Sequence, residues 1–137
     1  MSRIKICGLR RPEDIAAVNE ARPDYCGFIV EYPKSRRSID RTTLRELVRG
    51  LREKIVPVGV FVNAPKELVA ELLEEGTIQI AQLHGQESQE YIQELKVLTE
   101  KPLIQAFSIK SKEDVERARE SVADYILLDQ GSGGTGK

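Results

Sequence analysis

The chain is poor in the residues that build metal centres and covalent frameworks, with one histidine and two cysteines among 137 residues. A lone histidine excludes a multi-histidine metal site, and the carboxylates show no ligand spacing. Cys7 and Cys26 form neither a zinc-like cluster nor a disulfide framework. Charge of one sign is also missing. The formal net charge is -1, which excludes the global field that draws nucleic acid or an anionic membrane. No apolar run approaches the roughly 20 residues that span a bilayer. The opening MSRIKICG leads straight into a strand pattern, so no signal peptide is expected. The expected setting is a reducing cytoplasm with both thiols free. No interdomain linker or low-complexity tract interrupts the chain, so residues 1–137 are expected to form a single domain.

What is present is ordinary for a globular protein, with 40% hydrophobic and 31% charged residues. Strand-like apolar runs fall at 3–7, 25–30, 55–62, 78–83, 102–109 and 124–129, and helical patterns lie between them. Pro12, Glu13 and Asp14 suit a first helical turn, and Pro23 ends that helix. The second strand is apolar throughout, as a strand covered on both faces should be. Leu44, Leu47, Val48 and Leu51 recur at helical spacing over 41–51. Asn63 stands where it could cap the third helix, and Gly76 closes it. Ser88 and Ser111 are placed to open the fourth and fifth helices.

Six strands and five helices at this repeat length predict parallel β/α units with right-handed crossovers. Two architectures fit: a doubly wound open sheet and an incomplete (β/α)8 barrel. In both, chemistry collects at the carboxyl ends of the strands, and the polar or glycine-rich loops here all follow strands.

Each candidate residue has a functional and a bland reading. Cys7 ends the first strand ahead of Gly8, so its thiol could act as base or nucleophile, although many lone cysteines are small core hydrophobes. Cys26, in mid-strand, fits the core reading. Asp129 ends the apolar run YILLD and is either a functional carboxylate or a cap. His84, in QLHG, is either a substrate contact or a ring held by local hydrogen bonds. Lys34, Arg36 and Arg37 form a basic loop that could take a carboxylate or phosphate, or lie exposed. Asn63 and Gly85 look like cap and turn residues. The last run, GSGGTGK, has the spacing of a phosphate-cradling P-loop. The Ser or Thr and the helix that complete a nucleotide-binding P-loop are not seen, so the run reads first as a flexible glycine turn or as an active-site loop that moves over a ligand.

Taken together, KICG, YPKSRR, GVFVN, QLHG and LDQGSGGTG, in that order, resemble the phosphoribosylanthranilate isomerases of the tryptophan pathway. The resemblance runs along essentially the whole chain. It implies a (β/α)8 TIM barrel, here truncated after strand six, at about three quarters of a barrel. It implies an Amadori rearrangement of N-(5-phosphoribosyl)anthranilate to the 1-deoxyribulose 5-phosphate derivative, with a small phosphosugar as substrate and no cofactor or metal. The family's general base falls on Cys7 and its general acid on Asp129. Its loop arginine, near the anthranilate carboxylate, falls on Arg37. Gly8, Gln82, His84, Gly133 and Gly134 fall on substrate-binding motifs. Arg36 stands where family members often have proline. The resemblance also implies two further strands whose loops hold the substrate phosphate. Without them the 137-residue chain is expected to be inactive alone, as a fragment, or to be a split or non-catalytic half-barrel. Open strand edges are then expected to favour self-association or pairing with the missing C-terminal part.

Overall fold

Every apolar run identified above forms a parallel strand, and every helical pattern forms a helix. The structure is a computed structural model that describes residues 5–32, 34–84 and 87–129. In chain order the elements are β1 (Lys5–Cys7), α1 (Pro12–Ala21), β2 (Tyr25–Val30), β3 (Ser38–Ile39), α2 (Arg41–Arg49), β4 (Val56–Phe61), α3 (Lys66–Glu74), β5 (Ile80–Leu83), α4 (Gln89–Leu98), β6 (Leu103–Ser108), α5 (Lys112–Arg119) and β7 (Tyr125–Asp129).

The strands pair in the order β1-β2-β4-β5-β6-β7, each parallel to the last. A doubly wound sheet reverses its strand order at a switch point. This order never reverses, so the winding is that of a barrel wall.

The short β3 departs from the sequence reading, which left residues 31–40 as a polar loop. Ser38 and Ile39 pair with Ile29 and Val30 of β2. Ile29 also pairs with Val60 on the β4 side, so β3 must lie on the β1 side, just beyond the end of β1. Two residues are too few to show a period.

Strand alternation sorts the side chains onto two faces. Cys26, Phe28, Val30, Phe61, Ala81, Leu83 and Leu103 join Leu44, Val69, Leu72, Leu73, Ile92 and Leu95 of the helices in one buried cluster. That is the helix-covered, convex face. The opposite face carries Lys5, Cys7, Gly27, Val58, Val60 and Gln82, and it is concave. The proof is one side chain. The Lys5 ammonium hydrogen-bonds to the Gln82 Oε1, although β2 and β4 lie between their strands. Three strand spacings amount to about 14 Å along a flat sheet, beyond the reach of a lysine's four-carbon stem. The sheet therefore curls.

Ser88 caps α4 as the sequence predicts, and Asp40, which the sequence reading did not single out, caps α2. Asp40 Oδ1 accepts from Thr43 N at 2.8 Å, and Ser88 Oγ accepts from Tyr91 N at 3.0 Å. Asp114 ties back the entry to α5, accepting from the backbone N–H groups of Lys110 and Ser111. Asn63 does not cap α3, whose N-cap is Pro65. It turns the chain in the left-handed region at φ 52°, a conformation asparagine tolerates well. Its N–H donates to Glu87 Oε2 at 2.7 Å.

Candidate functional site

Cys7 is the last residue of β1 and is exposed. Immediately after it, Gly8 adopts φ 87°, and the Gly8 and Leu9 N–H groups donate to the Gly27 carbonyl at 2.9 and 3.3 Å. The chain thus turns away at the point where the thiol emerges. The sulfur packs against Gly27 of the neighbouring strand: a Cβ there would lie 2.7 Å from Cys7 Sγ. Gly27 is the space into which the thiol fits.

Arg37 reaches the same corner because β3 brings its loop over the end of β1. A Cβ on Gly8 would meet Arg37 Cδ at 2.7 Å and Nη1 at 2.9 Å. Gly8 is thus required twice, by its left-handed turn and by the guanidinium stem lying over it. The loop is held by Arg10 Nη1 donating to the Arg36 carbonyl at 3.0 Å and by Arg37 N donating to Ser35 Oγ at 3.2 Å.

The two cysteines separate as expected. Cys26 points into the convex core and is fully buried. Burial first, then the nearby Cys7, push its thiol up to about 12, so it is inert at neutral pH. On the concave face, desolvation lowers the Lys5 pKa from its ordinary value, while Cys7 acts on it in the opposite sense.

Gln82 is buried on the concave face and receives the Lys5 ammonium. His84 follows β5, its N–H donating to the Phe61 carbonyl at 2.8 Å. It lines a cavity of about 600 Å³ with Glu87, Gln89, Gln105, Ser108 and Arg117. Cys7 and Arg37 do not line this cavity, so His84 belongs to a different part of the rim.

Asp129 ends β7, paired with Ser108. Ile29, Val60, Gln82, Ile104 and Tyr125 lie on one level across the sheet. Cys7, opposite Gly27, stands two residues before that level, and Asp129 stands four after it. Tilted barrel strands produce such a stagger. Both positions stand at the carboxyl ends of the two outermost strands. Gly133, Gly134, Gly85 and the P-loop-like GSGGTGK lie outside the described residues.

The structure therefore groups Cys7, Gly8 and Arg37, joins Gln82 to β1 through Lys5, and leaves His84 apart. Sequence reasoning missed Lys5 and Gly27. Lys5 carried a usable signal, because a residue two before Cys7 on a strand shares its face. Gly27, in the run YCGFIV, is recognisable only once its neighbour is known.

Comparison with known proteins bears on the chain as a whole. The family model described as N-(5'-phosphoribosyl)anthranilate isomerase matches residues 4–137. A relative with that name from Caldanaerobacter subterraneus subsp. tengcongensis is 42% identical over 100% of this chain and 67% of its own. The crystal structure of phosphoribosyl anthranilate isomerase from Thermotoga maritima superposes with a TM-score of 0.83 at 34% identity, covering 99% of this chain and 65% of that one. A structure of the enzyme in complex with reduced 1-(o-carboxyphenylamino)-1-deoxyribulose 5-phosphate gives a TM-score of 0.81 at 34% identity, over 96% of this chain and 66% of that one. The chain thus spans about two thirds of the length of the relatives it matches. With its unreversed strand order and matching residues end to end, the chain belongs to the N-(5'-phosphoribosyl)anthranilate isomerase family, with a TIM-barrel-type fold.

Proposed function

We propose that the protein carrying this chain catalyses the Amadori rearrangement of N-(5-phosphoribosyl)anthranilate to 1-(2-carboxyphenylamino)-1-deoxy-D-ribulose 5-phosphate, a step of tryptophan biosynthesis. The observation that carries this reading is the corner made by Cys7, Gly8 and Arg37. There an exposed thiol at a strand end lies beside an arginine able to grip a carboxylate in two places. A solved relative holds a carboxyphenylamino deoxyribulose phosphate, a ligand with both a carboxylate and a phosphosugar.

The reaction is an isomerisation carried by proton transfers, with no net change of atoms. An acid protonates the furanose ring oxygen as the C1–O bond breaks, and the nitrogen lone pair forms C1=N. A base then removes the C2 proton. That electron pair becomes C1=C2 and returns the nitrogen to an amine. The resulting enol takes a proton at C1 while its C2 hydroxyl releases one to solvent, and becomes the ketone. Asp129 is the acid and Cys7 the base. They come from opposite outer strands of a curled sheet, which suits two proton transfers on one bound sugar. Arg37 takes the anthranilate carboxylate. His84 and Gln82 are the further substrate contacts, at the ends of β5.

The substrate phosphate is expected to be held outside this chain, as remote binding energy that positions the sugar. Tyr125, Ile126, Leu127 and Leu128 of β7 are 60, 43, 42 and 58% exposed. A parallel strand is ordinarily covered on both faces. This exposure supports assembly through that edge, with another copy or with a chain segment that continues the wall. Among the described residues, no helix is long and apolar enough to cross a membrane.

The test is isomerase turnover by the wild-type protein, C7A and D129N, with intact mass measured on the same samples. A loss of about 100-fold or more in each variant is expected for acid–base groups. Retained turnover in either removes that residue from its role, and no turnover by the wild-type protein removes the function.

A further inference from the structure

The peptide unit between Arg36 and Arg37 is held from both sides. Its carbonyl accepts from Arg10 Nη1 at 3.0 Å, and its N–H donates to Ser35 Oγ at 3.2 Å. A peptide unit is planar, so fixing its oxygen and its N–H fixes the direction in which Arg37 leaves it. The Ser35 bond lies within the loop and can travel with it. The Arg10 bond comes from the turn between β1 and α1, 26 residues away in sequence. Arg10 is itself anchored. Its N–H donates to Asp14 Oδ2 at 3.1 Å, and the Arg11 N–H donates to the same oxygen at 3.1 Å. Asp14 belongs to the first turn of α1. A continuous path thus runs from α1 through Asp14 and Arg10 to the Arg36 carbonyl. It ends where the Arg37 stem lies over Gly8.

We propose that Arg10 is a positioning residue that sets selectivity for a carboxylate: clamped on the Arg36 carbonyl, it aims Arg37 at the benzoate group of the substrate before the substrate arrives. A guanidinium grips a carboxylate through two parallel N–H bonds only when the two planes are aligned, so direction is what such a subsite needs. An arginine left free to swing must be ordered on binding, and that ordering costs affinity. The bond from Arg10 runs from a cation to a carbonyl, the stronger kind of hydrogen bond. Both residues are exposed, so its effect falls on the direction of one side chain rather than on the stability of the fold. Arg10 acts through Arg37. The inference rests on the reading of Arg37 as the carboxylate ligand, and its test reads binding rather than turnover.

The test is calorimetric binding of two ligands to the protein carrying this chain. One is reduced 1-(o-carboxyphenylamino)-1-deoxyribulose 5-phosphate, the ligand of the solved relative. The other is its phenylamino counterpart without the carboxylate. The Kd of the second divided by that of the first is the selectivity. Arg10→Met removes the donors and keeps an apolar stem. It is expected to lower the selectivity about fivefold by weakening the carboxylate ligand alone. Arg37→Ala is expected to abolish the selectivity, and Arg10→Met added to it is expected to change nothing further. A merely structural role would weaken both ligands equally in Arg10→Met, and that result overturns the proposal. So does an unchanged selectivity. A further loss from Arg10→Met in the Arg37→Ala background means that Arg10 grips the carboxylate directly, which also overturns it. Wild-type protein that binds neither ligand sinks the isomerase reading together with the inference. Wild-type protein that prefers the carboxylate, with the preference kept in Arg10→Met, sinks the inference alone.

Discussion

Gly27→Ala is the smallest change that reaches the chemistry. The added Cβ would lie 2.7 Å from Cys7 Sγ, 3.3 Å from Cys7 Cβ and 3.4 Å from Cys7 Cα. Ordinary non-bonded contact is about 3.5–4.0 Å, so the sulfur must retreat by about 1 Å, and the two carbons behind it are themselves close. Alanine in place of glycine contributes about 0.5–1 kcal/mol of strand stability through lost unfolded-state freedom. Overpacking costs about 1–3 kcal/mol, so the clash wins. The larger effect is on rate, because a misplacement of about 1 Å at a reacting group costs on the order of 100-fold. Isomerase kcat/KM and the urea midpoint of the same protein are the two readings. The expected outcome is a fall of about 100-fold in kcat/KM beside a modest loss of stability. Wild-type values of both would refute the idea that Gly27 exists to seat the thiol.

Three further outcomes follow from packing and capping. Leu72 is fully buried under the sheet, and Leu72→Ala is expected to lower unfolding free energy by about 2–5 kcal/mol in a denaturant titration. Ser88→Ala removes the oxygen that accepts from Tyr91 N and is expected to cost about 1 kcal/mol by the same measurement. Asp14 accepts from the Arg10 and Arg11 N–H groups at 3.1 Å each, and these bonds hold its carboxyl below the usual carboxylate range. A depressed folded pKa contributes stability above the unfolded value and loses it as pH falls through the folded one. Asp14→Asn is therefore expected to lower the neutral-pH Tm slightly and flatten its fall on acidification. An unchanged acid limb would count against the bonds to Arg10 and Arg11.

The alternation of strand and helix was readable because β2 and β4 are continuously apolar runs and the helices between the strands carry apolar residues at helical spacing. The winding was harder. Periodicity fitted an open sheet as well as a barrel, and only the unreversed pairing from β1 to β7 decides between them. Cys7 and Arg37 were legible as chemistry from their motifs, but the contact between Arg37 and Gly8 was not. It depends on β3, which two register pairs create. Asn63 misled because an asparagine ahead of a helix reads as a cap, whereas here it supplies a left-handed turn. Lys5 was passed over because a charged residue on a short strand looks like a solvent-facing one. Its link to Gln82 exists only once the sheet has curled.

The small strand β3 carries the segment that brings Arg37 over the end of β1. Its attachments include two register pairs with β2, one bond from Glu31 N to the Ile39 carbonyl at 2.8 Å, one from Tyr32 N to Ser38 Oγ at 2.7 Å and one from Arg10 Nη1 to the Arg36 carbonyl at 3.0 Å. β1, which carries the thiol, is held separately by its pairing with residues 25–27. Residues ahead of β3 meet β1 past its end, where Arg10 holds the Arg36 carbonyl and the Arg37 stem lies over Gly8. A change in that segment is therefore felt first at the corner beside Cys7 and last in the pairing of the wall.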